Sequence, residues 1–357
     1  MIRVRSFLAV LSSMIVVASV SAAELNVKDF GAKADGSTDN TAVIQKALDT
    51  CAAQGGGRVF VPAGEYLVAG HLNVPPNVIL AGIAEAPSTV IDRTNPHKPG
   101  SVLLATEGKG HVGGAAFITL HDNAQITGLS VYYPDQTPDI IPYPWCVRGD
   151  GSNCSITNCL LINPYQGVDF GTIPGGRHFI NGLYGQPLKT GIFIDQCYDV
   201  GKIENVHFWP FWTKNPKVKA WTREHGEAFV IGRTDWEYMH ECFCIFYHVG
   251  YHFVDLGHAP GNAVLDECGS DIGPLSVRVD AVQPHAGVSF VNGQFMCGLE
   301  VSSTNKGPVK FTNCGFWGNQ HETDNAATIA GTGTVTFTAC HFISWAQVHP
   351  DAAAILV

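Results

Sequence analysis

Charge is scarce in this chain. Of 357 residues only 15% are charged, with 21 Lys plus Arg against 31 Asp plus Glu. No basic cluster occurs and the formal net charge is −10, so the electrostatic footprint of a nucleic-acid binder is missing. The composition also lacks the low hydrophobicity of a disordered chain, because 45% of the residues are hydrophobic. Past the first two dozen residues no apolar run approaches the ~20 residues that a membrane-spanning helix needs. The 39 glycines follow no three-residue period, which excludes a collagen-like fibre. What is left is a surface of Ser, Thr, Asn and Gly, the composition of a secreted β-rich protein.

The first 23 residues read as an export signal. Arg3 and Arg5 form a basic start, Phe7 to Val20 an apolar run broken only by serines, and Ser21-Ala22-Ala23 a small-x-small cleavage pattern. A single-pass anchor is the competing reading, but the run is short for one. Cleavage after Ala23 leaves 334 residues (357 − 23), secreted or periplasmic and free of the membrane. The charge becomes −12, since two arginines leave (19 − 31). The 11 cysteines are odd in number, and a chain of this length buries a core without staples. Most are therefore expected as small packing residues, with room for one or two bridges. Cys242 and Cys244 have no matching second pair, so no metal site is expected from them.

One short pattern returns along the chain. It reads ITGLSV at Ile126, ITNCLL at Ile156, IENVHF at Ile203, FVNGQF at Phe290, FTNCGF at Phe311 and FTACHF at Phe337. Looser copies are MHECFC at Met239 and LDECGS at Leu265. The fourth residues fall at 129, 159, 206, 242, 268, 293, 314 and 340, with intervals of 21 to 47 residues. Alternation over so few residues means strand, and strands at such a repeat mean a solenoid. A second strand follows eight residues after the anchor, as GVDF at Gly167, GYHF at Gly250 and SVRV at Ser276. A fixed offset requires a fixed corner. Asn158, Asn205, Asn292 and Asn313 share one repeat position and are expected to stack as a ladder. A β-sandwich has no such repeat, and a propeller keeps a more constant period. The uneven spacing fits a parallel β-helix, whose corners accept insertions.

Solenoid ends need a lid. Asp39-Asn40 are expected to cap a helix from about Thr41 to Ala53 with Val43, Ile44, Ala47, Leu48 and Cys51 on one face. Gly55-Gly56-Gly57 ends it, and Arg58 to Val68 is strand, Pro-Gly turn and strand. The stretch from Val27 to Val68, with its DFGA, DG, TDNT and VPAGEY elements, resembles the opening of the pectate-lyase-like superfamily, and its rhamnogalacturonase/epimerase-type branch in particular. That resemblance implies an all-β fold, a right-handed single-stranded parallel β-helix with an N-terminal capping helix. The expected boundaries are 24–68 for the cap and first rung within one domain over 24–357. It also implies an activity on extracellular polysaccharide. The superfamily holds hydrolases, lyases, epimerases and tail spikes, so the fold leaves the chemistry open, and it leaves monomer and trimer open as well. Asp35 and Asp39 are read as turn and cap residues.

The polygalacturonase-type patterns that the resemblance brings to mind are absent, Gly257-His258-Ala259 being the nearest approach to Gly-His-Gly. The epimerase-type Asp-Pro-His-Asp is absent too. The candidate site therefore rests on Asp195 to His248, which holds four of the seven tryptophans and much of the charge. Glycoside hydrolysis needs two carboxyl groups about 5 to 10 Å apart, and residues i and i+2 of a strand share a face at roughly 7 Å. Asp235 and Glu237 in RTDWEY meet that condition. Asp195 and Asp199 form a second candidate pair, and His207 alternates outward between Val206 and Phe208. Trp209, Trp212, Trp221 and Trp236 offer faces for sugar rings, with Arg233 and His240 beside them. Lys214, Lys217 and Lys219 would attract an acidic sugar. The expected function is a glycoside hydrolase acting on an acidic or pectin-like polysaccharide without a cofactor. The alternatives are a lyase or epimerase, for which Ca²⁺ is the expected cofactor of a lyase, and a non-catalytic carbohydrate-binding or tail-spike-like protein. The sequence stops at AAAILV directly after the last repeat. Either a longer helix or a covering partner chain is expected there.

Overall fold

The computed structural model describes residues 23–83, 100–210, 215–318 and 324–357. Residues 1–22 of the expected export signal (1–23), Trp212 and Lys214 lie outside them.

Every recurring pattern forms one coil of a right-handed parallel β-helix. Each coil gives one strand that runs through a corner, or two short strands either side of it, to a 20-stranded parallel sheet, and one strand to an 11-stranded parallel sheet. The two sheets enclose a continuous apolar core that runs from Val27 to Ala327. Alternation is the cause. In the Gly201–Phe208 strand Ile203, Val206 and Phe208 are buried, while Lys202 and His207 face outward.

The corner between the two strands of the large sheet explains the repeat. Asn158, Gly182, Asn205, Glu241, Glu267, Asn292, Asn313 and Ala339 all stand there with φ between 51° and 69°. This left-handed conformation favours Asn and Gly. It also frees a backbone carbonyl from the strand ladder. The thiol that follows the corner takes it, since Cys159, Cys242, Cys268 and Cys314 donate to the carbonyls of Thr157, His240, Asp266 and Thr312 at 3.3–3.4 Å. All eleven cysteines are free. Burial pushes the Cys159 thiol up to about 12, so these are packing groups and not nucleophiles.

The asparagine ladder forms in short runs. Asn313 donates to Asn292 at 2.9 Å, and Asn292 to Asp266 at 3.0 Å. A second run stands at the entry to the large sheet, where Asn123 donates to Asn77 and Asn153 to Asn123. The 47-residue interval is corrected: it contains two coils. The missed copy is INGLYG from Ile180, paired with Ile156 on one side and Ile203 on the other. Its corner residue is Gly182 and its anchor is Leu183, the same Gly-Leu pair that ITGLSV carries at Gly128 and Leu129.

Helix α1 (Thr41–Ala53) buries Ile44, Ala47, Leu48 and Cys51 against the first strands. Asn40 makes no side-chain cap bond to it. Fully buried, Asn40 instead ties Lys33, Thr38 and Leu67 together, while Asp39 accepts from the Thr41 N–H. Asp35 binds Ser37 and Thr38 in a local turn. Helix α2 (Pro216–His225) starts with Asn215 accepting from the Lys217 N–H. It forms the insertion before the Glu227–Ile231 strand. Among the described residues no helix is long and apolar enough to cross a membrane.

Candidate active site

The structure divides the expected site between separate places. Asp235 and Glu237 do not share a face. The strand starts only at Glu237, and Trp236 before it has φ 69°, which breaks the i, i+2 alternation. Glu237 turns into the core, fully buried, and binds His178 Nε2 at 2.8 Å and Thr234 Oγ1 at 3.1 Å. Asp235 stays at the surface, paired with Arg233 at 2.9 Å. Burial lowers the pKa of His178, but the Glu237 carboxylate outweighs it and pushes the value up to about 10. This is a buried ion pair, out of reach of a polymer.

Asp195 follows Ile194 in the outward row as expected, yet it is covered. It accepts from the Arg233 N–H at 2.6 Å and from His258 Nδ1 at 2.7 Å. Gly232 makes that approach possible, because a Cβ there would stand 2.5 Å from Asp195 Oδ1. Asp199 is exposed and pairs with Arg177 at 2.7 Å, which lowers its pKa. His207 lies on the large sheet among Tyr184, Trp209 and Phe243, with ring centroids 5.1–5.8 Å away. Trp209 packs on Leu160, Ile162 and Tyr184. Trp221, on α2, meets Tyr165 and His225. Trp236 is half exposed at its corner. His240 lies 3.5 Å from Asp266. Among the described residues these side chains are not gathered round one pocket.

The outer face of the 11-stranded sheet is different. The second-strand motifs GVDF, GYHF and SVRV bury their apolar residues and direct the third one to the outer face, where Asp169 is covered while His252 and Arg278 are partly exposed. His252 sits between two carboxylates, with Nδ1 3.0 Å from Glu227 and Nε2 2.8 Å from Asp280. Arg278 Nε donates to both oxygens of Asp280 at 3.1 and 3.2 Å. An open groove of about 710 Å³ lies against this network, lined by Asp255, Gly257, Arg278, Asp280, Ser302 and Thr304 among others.

The groups polarise one another. Burial pushes Glu227 up, but the hydrogen bond from His252 outweighs it and the carboxyl ends below its ordinary value. Asp280 is lowered in the same way by His252 and Arg278 against its burial. Burial lowers His252, and the two carboxylates overcome this and raise it. The network is thus two carboxylates, an imidazolium and a guanidinium. Their charges offset each other, and the set does not offer the six to eight oxygens of a Ca²⁺ site. Among the described residues the groups spaced to hold a metal are His178, Cys197 and Glu237, and His240, Glu241 and Glu267. Neither lines this groove.

The loop 254–262 supplies Val254, Asp255 and Gly257 to the groove and also carries His258. Ile194, Ile231, Phe253 and Val279 are in register. The residues that follow them, Asp195, Gly232, Val254 and Asp280, are therefore aligned as well. Asp195 and Asp280 stand three strand steps apart, about 14 Å. The Asp195–His258 pair and the His252–Arg278 network thus occupy one side of the same sheet. His252, His258, Arg278 and Asp280 escaped the sequence reading. The signal for His252 and Arg278 was a polar residue at the outward place of a repeated strand.

The family of known proteins that this architecture matches is decided by residues 25–200, which fit the model described as rhamnogalacturonase A/epimerase, pectate lyase-like. Over that stretch, just under half of its length, the chain is similar to that family. Among curated relatives, alginate lyase 7 of Azotobacter vinelandii is 38% identical over 113 residues, 29% of this chain and 13% of that protein. Mannuronan C5-epimerase AlgE3 of the same organism is 38% identical over 128 residues, 32% of this chain and 7% of that protein. The chain thus covers a small part of either relative. Among solved structures, the tailspike gp49 of Acinetobacter baumannii bacteriophage Fri1, a capsular polysaccharide depolymerase, matches with a TM-score of 0.58 at 11% identity. That match covers 94% of this chain and 63% of the other. Glu227, His252, His258, Arg278 and Asp280 lie beyond the stretch that fits the family model.

Proposed function

We propose that this chain is a secreted enzyme acting on an acidic, uronate-containing polysaccharide by removing the C5 proton of a uronate, as a lyase or a C5-epimerase. The observation that carries this reading is the ionisation of the groove. Hydrolysis by a carboxyl pair requires one carboxyl that keeps its proton, whereas Glu227 and Asp280 are both held below their ordinary values. Arg278 spends only Nε on Asp280. Its Nη donors make no hydrogen bond among the described residues and suit a uronate carboxylate. The base is His258. Asp195 accepts from its Nδ1, which leaves Nε2 as the nitrogen that takes a proton. With the C5 proton on Nε2, the carbanion either expels the C4 oxygen, which takes a proton from water, or regains a proton on the opposite face. The alginate lyase and mannuronan epimerase names of the relatives agree with a uronate substrate.

The test is turnover of polymannuronate and polygalacturonate in D₂O. Elimination gives ultraviolet-absorbing unsaturated ends, and epimerisation gives deuterium at C5. His258→Ala and Asp195→Asn are expected to lower either signal about 10²- to 10⁴-fold. New reducing ends without absorbance or deuterium would mean hydrolysis and overturn the reading.

A further inference from the structure

Phe193 is the outward residue of the TGIFI strand (Thr190–Ile194), and Asp195 stands two residues on. The strand ends at Ile194, but a Cβ on Gly171 would stand 2.6 Å from the Phe193 ring and 2.7 Å from Asp195 N, so the ring lies beside Asp195, the partner of His258. It is not a free rotor. The ring leans over Gly171. It also stacks on Trp145, two strands away, with centroids 6.0 Å apart and planes inclined by 17°. Both rings are only half-buried. Asp169, whose strand lies between theirs, is fully buried and pairs with Arg148 at 2.7 Å, which keeps a second guanidinium at this end of the sheet.

From this we infer that Phe193, braced by Trp145, is the platform on which the reacting sugar ring rests. The inference rests on the proton-abstraction reading above. A pyranose has an apolar face of C–H bonds that packs on an aromatic ring. A ring lying on Phe193 is held at a fixed height with an edge toward His258. Fixing reactant and base in this way contributes rate through orientation alone. Phe193 is thus a positioning residue, and the bland alternative is that the stack only covers the Arg148–Asp169 pair.

The experiment compares Phe193→Leu with Phe193→Tyr on polymannuronate, measuring KM, kcat and the unfolding midpoint. It adds calorimetric binding of mannuronate oligomers to the His258→Ala protein with and without each change. Leucine keeps apolar cover but removes the flat face. The expected result is a KM and dissociation constant raised about tenfold by leucine, an unchanged midpoint, and recovery with tyrosine. Leucine that leaves both constants within twofold overturns the platform. So does leucine that lowers the midpoint and the affinity together, as a purely structural stack would. Wild-type protein that converts no uronate yet binds the oligomers defeats the reaction reading while the binding constants still decide the platform. Wild-type protein that neither binds nor converts them defeats both.

Discussion

Two histidine–carboxylate clusters in this molecule use the same chemistry at different depths. His178 and Glu237 meet inside a corner of the coil, with side-chain exposures of 5% and 0%. His252 meets Glu227 and Asp280 on the outer face of the smaller sheet, where the three are 13%, 28% and 22% exposed. In each a carboxylate raises the pKa of the imidazole against the effect of burial. His178 lines only a small cavity of about 10 Å³, whereas the outer cluster adjoins the open groove of about 710 Å³. A strongly raised histidine therefore does not mark the site by itself. Access for a polymer does, and the buried pair is a structural joint whose loss should unfold the protein and not merely silence it.

The sharpest way to break this comparison is Glu237→Ala. Removing one partner of a buried ion pair leaves an uncompensated charge and costs about 3–5 kcal/mol, read from the denaturant midpoint at unchanged m-value. Asp280→Asn, at the partly open cluster, is expected to cost less than half of that while depressing turnover. If the two variants lose equal stability, depth is not what separates the clusters.

The pH dependence sharpens the same contrast. His178 is raised in the folded state from its ordinary 6.5 to about 10. A raised histidine contributes stability that is complete below its unfolded pKa and is lost as pH climbs through the folded value. Melting temperature is expected to fall between pH 6.5 and about 10, and Glu237→Gln should remove most of that slope. In the groove His252 acts in the same sense. Glu227 and Asp280 are lowered, so their contributions are present above their ordinary values and disappear as pH falls through the depressed folded ones. A melting temperature that is flat above pH 6.5 in the wild type would contradict the buried pair.

The coil was legible in the sequence because the backbone dictates it. A left-handed corner asks for Asn or Gly, and the carbonyl it frees asks for a small donor, so the pattern returns wherever both demands are met by the same residues. The Gly182 coil meets the backbone demand with the same Gly-Leu pair as the Gly128 coil, and it was missed although its pattern fits. The site was less legible for a related reason. The Asp235–Glu237 pairing assumed an unbroken strand, and one left-handed residue, Trp236, sends Glu237 into the core. The Asp195–His258 contact joins residues 63 apart in sequence, and no local spacing encodes it. Asp195 was identified without its partner.

The smallest expected effect tests the remaining outward histidine. His207 was a catalytic candidate on alternation alone, and it does face outward. Its surroundings, however, are Tyr184, Trp209 and Phe243. Its buried Nε2 has no hydrogen-bond partner among the described residues, and burial lowers its pKa. A base without an orienting partner, set among aromatic rings on the sheet that does not carry the groove, has the environment of a packing residue. Replacing such a group by an apolar ring of similar shape is close to neutral, or stabilising, because an unsatisfied polar atom is removed. His207→Phe is therefore expected to change stability by no more than about 1 kcal/mol and to leave kcat and KM for polymannuronate within twofold. His258→Ala in the same assay is expected to lower turnover about 10²- to 10⁴-fold. A His207→Phe protein that folds normally but loses activity would move the chemistry to the large sheet and reverse the assignment of the two faces.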